Sequence, residues 1–384
     1  MAYHRTIFRQ MLQLVSRLEF QSIVKRHNGD YRCRRLQCWD QFIHLLFGQF
    51  GKRESLRDTV STTGSMSTKL YHLGCRALCR STLSDANNRR PNEIYRDLFF
   101  TLLQRVQNIA PQYKLKLPRK LFIMDSTLIE LCLKLFPWAR YQKTVSAIKL
   151  HTVLQADGAI PTFLHISDGR RNDITVAKKM PIARGSFVVF DRGYDCLHLY
   201  KSYTDNDIRF VTRMKKDAVL RVVDVASAAR DDGVIADETV EYVHYYSKKD
   251  YPHRLRRIRY HDSDSKKTLT FVTNDFQLDA KTIADIYKAR WEIELFFRTI
   301  KQNLKIKRFI GTSKNAVLTQ VWIAMIAYLI ASYYKFQFKS KLTIQTLIRV
   351  IQVNLFERKS LCTLFGLPDP NDSKCYGQHQ YAFL

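Results

Sequence analysis

The sequence predicts an α/β protein: a mixed sheet with helices on its faces and a β-rich insertion, preceded by an all-α segment and followed by more helices. Three patterns carry this reading. Apolar residues recur every three or four positions in Ile7 to Val24 and Leu36 to Phe50, the spacing of buried helix faces. Beyond Lys120 short apolar and β-branched runs take over, first in a row and then alternating with helical patterns. After a second cluster of such runs the helical period returns from Ala280 onward.

Taken in order, residues 1–110 form a helical domain. Within it Glu54 to Ser61, a turn at Thr62-Thr63-Gly64-Ser65 and Met66 to Leu73 resemble a helix-turn-helix. A second polar helix is entered through Ser81-Thr82-Leu83-Ser84, a Ser cap, and carries Asn87, Asn88, Arg89 and Arg90. Asn and Arg can make bidentate contacts to base edges, although a solvated helix end has the same composition. A basic linker around Pro111 and Pro118 precedes an α/β domain, residues 115–310. Its strands are expected at Leu121 to Asp125, Leu150 to Gln155, Ile160 to Ile166, Phe187 to Asp191 and Ile208 to Arg213. An inserted β subdomain of about 215–275 has runs at Ala218 to Val223, Thr239 to Tyr246, Arg254 to Tyr260 and Thr268 to Thr273. A single long helix is expected from Ala280 to about Lys305. Residues 311–384 form a helical region and a tail that is loosely ordered after Pro368.

The 384 residues carry 63 Lys and Arg against 35 Asp and Glu, a net charge of +28. So large an excess points to a polyanionic partner, and nucleic acid suits it best because the cations are spread along the chain. Binding to anionic lipid would instead call for an anchor or one concentrated basic helix. Val317 to Tyr334, the most lipid-like stretch, carries Thr319, Gln320 and Ser332 and reads as a buried helix. Eight cysteines are too few for a disulfide scaffold, which with no visible secretory signal suggests the cytoplasm. Cys33, Cys38, Cys75 and Cys79, with His72 nearby, lack zinc-knuckle spacing, and the cysteines read as buried thiols at helical spacing.

Two carboxylates interrupt apolar runs. Asp125 follows Leu121-Phe122-Ile123-Met124, and Asp191 follows Phe187-Val188-Val189-Phe190. An ionised group at the end of a buried strand needs a partner, and adjacent strands could bring both to one sheet edge. Converging carboxylates are what a hard divalent cation requires. On one continuous helix at about 100° per residue, Tyr287, Arg290, Glu294 and Lys301 fall at roughly 0°, −60°, −20° and −40°. Arg298 and Lys305 join that face. Glu294 among these cations reads either as part of an exposed ion-pair ladder or as a third metal ligand flanked by phosphate-binding residues. Asp173 reads as a helix cap, Asp195 and Glu130 have no motif, and Trp291 reads as a core residue.

Tyr287, Arg290, Glu294 and Lys301 spell Y-x2-R-x3-E-x6-K, and this stretch resembles the signature of one branch of bacterial DDE insertion-sequence transposases. LFIMDST around Asp125 and VVFDRGYD around Asp191 resemble the two Asp blocks of the same family. The resemblance implies an RNase H-like core in which Asp125, Asp191 and Glu294 hold two Mg²⁺ ions, with Mn²⁺ as a substitute. It also implies that Tyr287, Arg290 and Lys301 contact the element-end strand. The implied partners are double-stranded DNA, at element ends and target, and a second copy of the chain in the DNA complex, with the protein on the nucleoid and not in a membrane. The rivals are a two-metal nuclease that cuts without joining, a DNA-binding relic without chemistry, and a membrane-associated basic protein.

Overall fold

The computed structural model describes residues 5–367 apart from 34, 216, 227–232, 305, 307 and 308. The expected loose tail therefore lies outside the described residues, as does Lys305. In chain order the helices α1 Ile7–Met11, α2 Arg17–Arg26, α3 Cys38–Phe50, α4 Leu56–Ser65, α5 Ser67–Tyr71, α6 Arg80–Arg89 and α7 Glu93–Asn108 come first. Strands β1 Leu121–Leu131, β2 Ser146–Gln155 and β3 Ile160–Asp168 follow, then α8 Asp173–Ala177, β4 Phe187–Phe190, α9 Leu197–Asp205 and β5 Arg209–Arg213. Next are β6 Leu220–Val225, β7 Val234–Tyr242, α10 Tyr245–Asp250, β8 Leu255–Asp262 and β9 Lys267–Thr273. Last come α11 Ala280–Lys288, α12 Trp291–Arg298, a π-helical stretch Thr299–Asn303, α13 Lys314–Gln337, α14 Ile344–Asn354 and α15 Leu361–Leu364. The fold class is the expected one.

The chain divides into two compact units, a helical one of residues 1–111, 131–138 and 298–384, and an α/β one of residues 112–130 and 139–297. In the helical unit α13 packs on α7, α3, α6 and α14. It is long and apolar enough to cross a membrane, yet 89% of its most apolar window is buried, as the polar residues within Val317 to Tyr334 suggested. Caps fix several helix starts: the hydroxyl oxygens of Ser55 and Ser313 accept from the backbone N–H of Asp58 and Ala316.

Two expectations in this unit change. Thr62 to Ser65 do not form a turn but continue α4, where Thr63 Oγ1 donates to the Thr59 carbonyl (2.9 Å). The break falls instead at Met66. The polar helix begins at Arg80 with Cys79 as its N-cap residue, not at a Ser cap.

The α/β unit holds one nine-stranded sheet in the order β3-β2-β1-β4-β5-β9-β8-β7-β6. The strands of the expected insertion subdomain are thus not a separate sheet. β9 pairs antiparallel with β5, and β8, β7 and β6 extend the sheet outward. Tyr245 and Tyr246, expected at a strand end, open α10 instead. Phe122, Met124, Val188, Phe190 and Phe210 share a buried cluster with Val176 of α8 and Leu199 and Tyr203 of α9. Alternation puts Ile123 and Val189 on the opposite face, where α11 packs on β4 and β5.

Candidate active site

β1 and β4 are parallel, with Ile123 level with Val189 and Met124 level with Phe190. One residue further along each strand come Asp125 and Asp191, on the face that α11 covers. β4 ends at Phe190, whereas β1 runs on to Leu131. Asp125 was expected at a strand end, but it lies inside a strand, at the level where its parallel neighbour stops. The apolar run ends there because flanking burial does.

The expected single helix from Ala280 to Lys305 is broken. α11 stops at Lys288, and Arg290, Glu292 and Ile293 donate to carbonyls three residues back, on Tyr287, Ala289 and Arg290. These tight turns separate α11 from α12, and the π stretch interrupts the helical period again after Arg298. One helical wheel therefore does not describe Tyr287 through Lys301. Two of its members nevertheless meet the aspartates, and a third, Glu294, meets Arg290. Tyr287 Oη donates to Asp191 Oδ1 (3.3 Å), Arg290 Nη2 donates to Glu294 Oε1 (2.7 Å), and Arg290 Nη1 lies 3.9 Å from Asp125 Oδ2. Arg298 and Lys301 fall in the helical unit, Arg298 exposed and Lys301 half-buried. Trp291 is 51% exposed and so is not a core residue.

Burial pushes the Asp125 carboxyl up to about 6, Asp191 and Glu294 add to the rise, and the Ser126 N–H and Arg290 oppose it. The Asp125 side chain is only 22% exposed, and Arg290 Nε is buried without a hydrogen-bond partner. Asp125 and Glu294 thus share one imperfectly seated guanidinium, while Asp191 is held by Tyr287. Among the described residues no three His, Cys, Asp or Glu side chains are grouped to hold a metal ion as they stand. The oxygen-only donor set fits a hard divalent cation, and such an ion would relieve the electrostatic strain that Arg290 meets in part.

The proposed base readers fare differently. Asn87 is 3% exposed and Arg90 6%. Asn87 Oδ1 accepts from Gln41 Nε2 (2.7 Å), Arg90 Nη1 donates to Gln41 Oε1 (3.2 Å), and Arg90 also binds the Leu36 carbonyl and Asp30. In this structure their polar groups are engaged within the fold. Arg89 remains exposed.

Sequence reasoning missed a second cluster behind Asp125. Asn172, not Asp173, caps α8, its Oδ1 accepting from the Ile174 N–H (2.8 Å). Asp173 is thereby freed to reach Ser126, Lys149 and His151. The available signal was the Asn immediately before it, itself a favoured cap.

One aspartate inside β1, one just past the end of β4 and a helix-borne glutamate paired with an arginine make an acid cluster, and the comparisons say which family the chain belongs to. Residues 116–330 match the family model described as "Transposase DDE domain". Residues 3–76 match one described as a domain of unknown function, DUF4372. The y4zB protein of Sinorhizobium fredii, whose name describes it as a transposase, is 34% identical over 309 residues, 78% of this chain and 85% of that one. The probable transposase for insertion sequence element IS5377 of Geobacillus stearothermophilus is 26% identical over 340 residues, covering 88% and 87%. A piggyBac transposase synaptic complex with hairpin DNA aligns with a TM-score of 0.44 and 12% identity over 95% of this chain and 87% of that one, too distant a likeness to bear on function. The chain belongs to the DDE transposase family.

Proposed function

We propose that this protein is an insertion-sequence transposase of the branch marked by Tyr287, Arg290, Glu294 and Lys301. It binds element ends in double-stranded DNA, cuts a phosphodiester at Asp125, Asp191 and Glu294, and transfers the freed strand to target DNA. The observation that carries this is the convergence of Asp125 and Glu294 on Arg290, with Asp191 held by Tyr287. Those three carboxylates would hold Mg²⁺, or Mn²⁺ in its place. When bound, two such cations supply activation of the attacking hydroxyl and neutralisation of charge on the reacting phosphate.

The chain's own groups do the rest. Arg290 presents a planar fork suited to a phosphate, and Tyr287 fixes the Asp191 carboxylate. Lys301, Arg298 and Lys305 contribute to holding the DNA backbone, as does exposed Arg89 in the helical N-terminal domain, and the charge of +28 draws DNA toward all of them. Joining two ends in one complex requires a homodimer on DNA, and a nucleoid-bound cytoplasmic protein follows.

The test is Mg²⁺-dependent cleavage and strand transfer on duplexes carrying the native ends, comparing wild type with Asp125→Ala, Asp191→Ala and Glu294→Ala, each checked for DNA binding. Joined products lost in all three support the proposal. Cleavage without joining would favour a nuclease, and end binding without any wild-type chemistry would indicate a relic.

A further inference from the structure

Asp173 sits at the start of α8, on the opposite side of β1 from Asp125, and it is not needed as a cap because Asn172 already fills that role. Its Oδ1 accepts from Ser126 Oγ (2.7 Å) and its Oδ2 from Lys149 Nζ (3.3 Å). Lys149 also donates to the Arg171 carbonyl (2.9 Å), which leaves that ammonium fixed between α8 and β2. His151, wholly buried, places Nδ1 3.4 Å from Asp173 Oδ1 and pairs Nε2 with Ser167 Oγ (2.9 Å). Burial lowers His151 to about 4, so near neutral pH Lys149 is the cation that Asp173 faces here. The Ser126 backbone N–H in turn donates to Asp125 Oδ1 (2.8 Å). The chain of contacts therefore runs from Lys149 through Asp173 and Ser126 to the Asp125 carboxylate.

We propose that Asp173 is a positioning residue for the catalytic centre: by holding Ser126 Oγ it fixes the residue whose backbone N–H orients Asp125. This explains why a carboxylate is spent beside a neutral histidine and a lysine on the sheet face away from the reaction. Groups that orient a metal-holding carboxylate typically matter about 10- to 100-fold in metal affinity when lost. The inference rests on reading Asp125 as a cation-holding acid.

The experiment is calorimetric titration of the full chain with Mn²⁺ alone, with melting temperatures measured in parallel. Asp173→Ala and Ser126→Ala should each weaken Mn²⁺ binding about tenfold. The double variant should be no weaker than the worse single one, because both remove the same link. Asp173→Asn, which keeps an oxygen to accept from Ser126, should recover most of the affinity. Ser126→Ala breaks the link without stranding a charge, so its result stands even if Asp173→Ala folds poorly. Additive losses, an Asp173→Asn variant as weak as Asp173→Ala, or wild-type affinity in Ser126→Ala would each overturn the proposal. Wild type that binds no Mn²⁺, or Asp125→Ala that binds as well as wild type, would instead sink the reading of the centre, and this inference with it.

Discussion

Two buried acid–arginine pairs lie in the same sheet-bearing unit and are built in opposite ways. Between neighbouring strands β7 and β8, Arg256 forks onto Asp237, Nε to Oδ1 at 2.8 Å and Nη2 to Oδ2 at 2.6 Å. Both partners are almost fully covered. Around Asp125 a single guanidinium is divided between Glu294 and a carboxylate 3.9 Å away, with its Nε left unbonded. The first pair is closed, each carboxylate oxygen met by a donor. The second is left open, and unmet electrostatic need inside a fold marks a place where a ligand completes the structure.

The comparison breaks most visibly in activity. Asp191→Ala should lower DNA cleavage by about 10³-fold or more, the scale on which loss of a preorganised charge-stabilising group acts. Asp237→Ala, far from chemistry, should leave the turnover of the folded fraction unchanged. Single-turnover cleavage with saturating enzyme separates the two.

Stability should reverse the ranking. Removing one partner of a closed buried pair strands the other charge, so Asp237→Ala should cost about 3–5 kcal/mol in urea unfolding. Asp125→Asn should do the reverse. Its carboxyl stands at about 6 in the fold against 3.8 as an ordinary aspartate, so the folded chain holds that proton more tightly than the unfolded one. The contribution is therefore full below pH 4 and is lost as pH rises through 6, a change of roughly 3 kcal/mol. Urea midpoints at pH 5 and 7.5 should show wild type losing stability across that window and Asp125→Asn losing less, with the variant the more stable at pH 7.5. A parallel slope in the two proteins would mean Asp125 is not strained.

A smaller contrast separates two neighbouring arginines. Arg90 is closed on Gln41, Leu36 and Asp30, so Arg90→Ala should destabilise the helical domain. Exposed Arg89 should affect DNA alone: Arg89→Ala should weaken binding uniformly and lower the salt slope by about 1, with the melting temperature unchanged. Fluorescence anisotropy across a salt series reads this.

The open site was legible in the sequence to the extent that local patterns encode it. Period-two alternation put Ile123 with Asp125 and Val189 with Asp191, and the parallel register brings those strands level. The continuation of β1 to Leu131 was hidden because the residues after Asp125 mix half-buried, buried and exposed positions and carry no long apolar run. Neither Gly nor Pro announces the break at Arg290, which arises from hydrogen bonds tightened to three residues. Asn87 and Arg90 looked solvated because their partners, Gln41 and Leu36, lie distant in sequence and meet them only through packing of α3 and α6. Asp173 was masked by its position, since an aspartate at a helix start reads as a cap until Asn172 is seen to do that work.

The central claim is that the Asp125 centre is an open acid cluster waiting for a cation, whereas the Asp237 pair is complete. Melting temperature as a function of Mn²⁺ concentration tests it most directly, in wild type, Asp125→Asn and Asp237→Asn. A cation that binds the folded chain at about 100 times its dissociation constant adds about 2.7 kcal/mol. Wild type and Asp237→Asn should therefore both rise with Mn²⁺, from different starting points, and Asp125→Asn should stay flat. Equal rises in all three proteins, or none in wild type, would contradict the account.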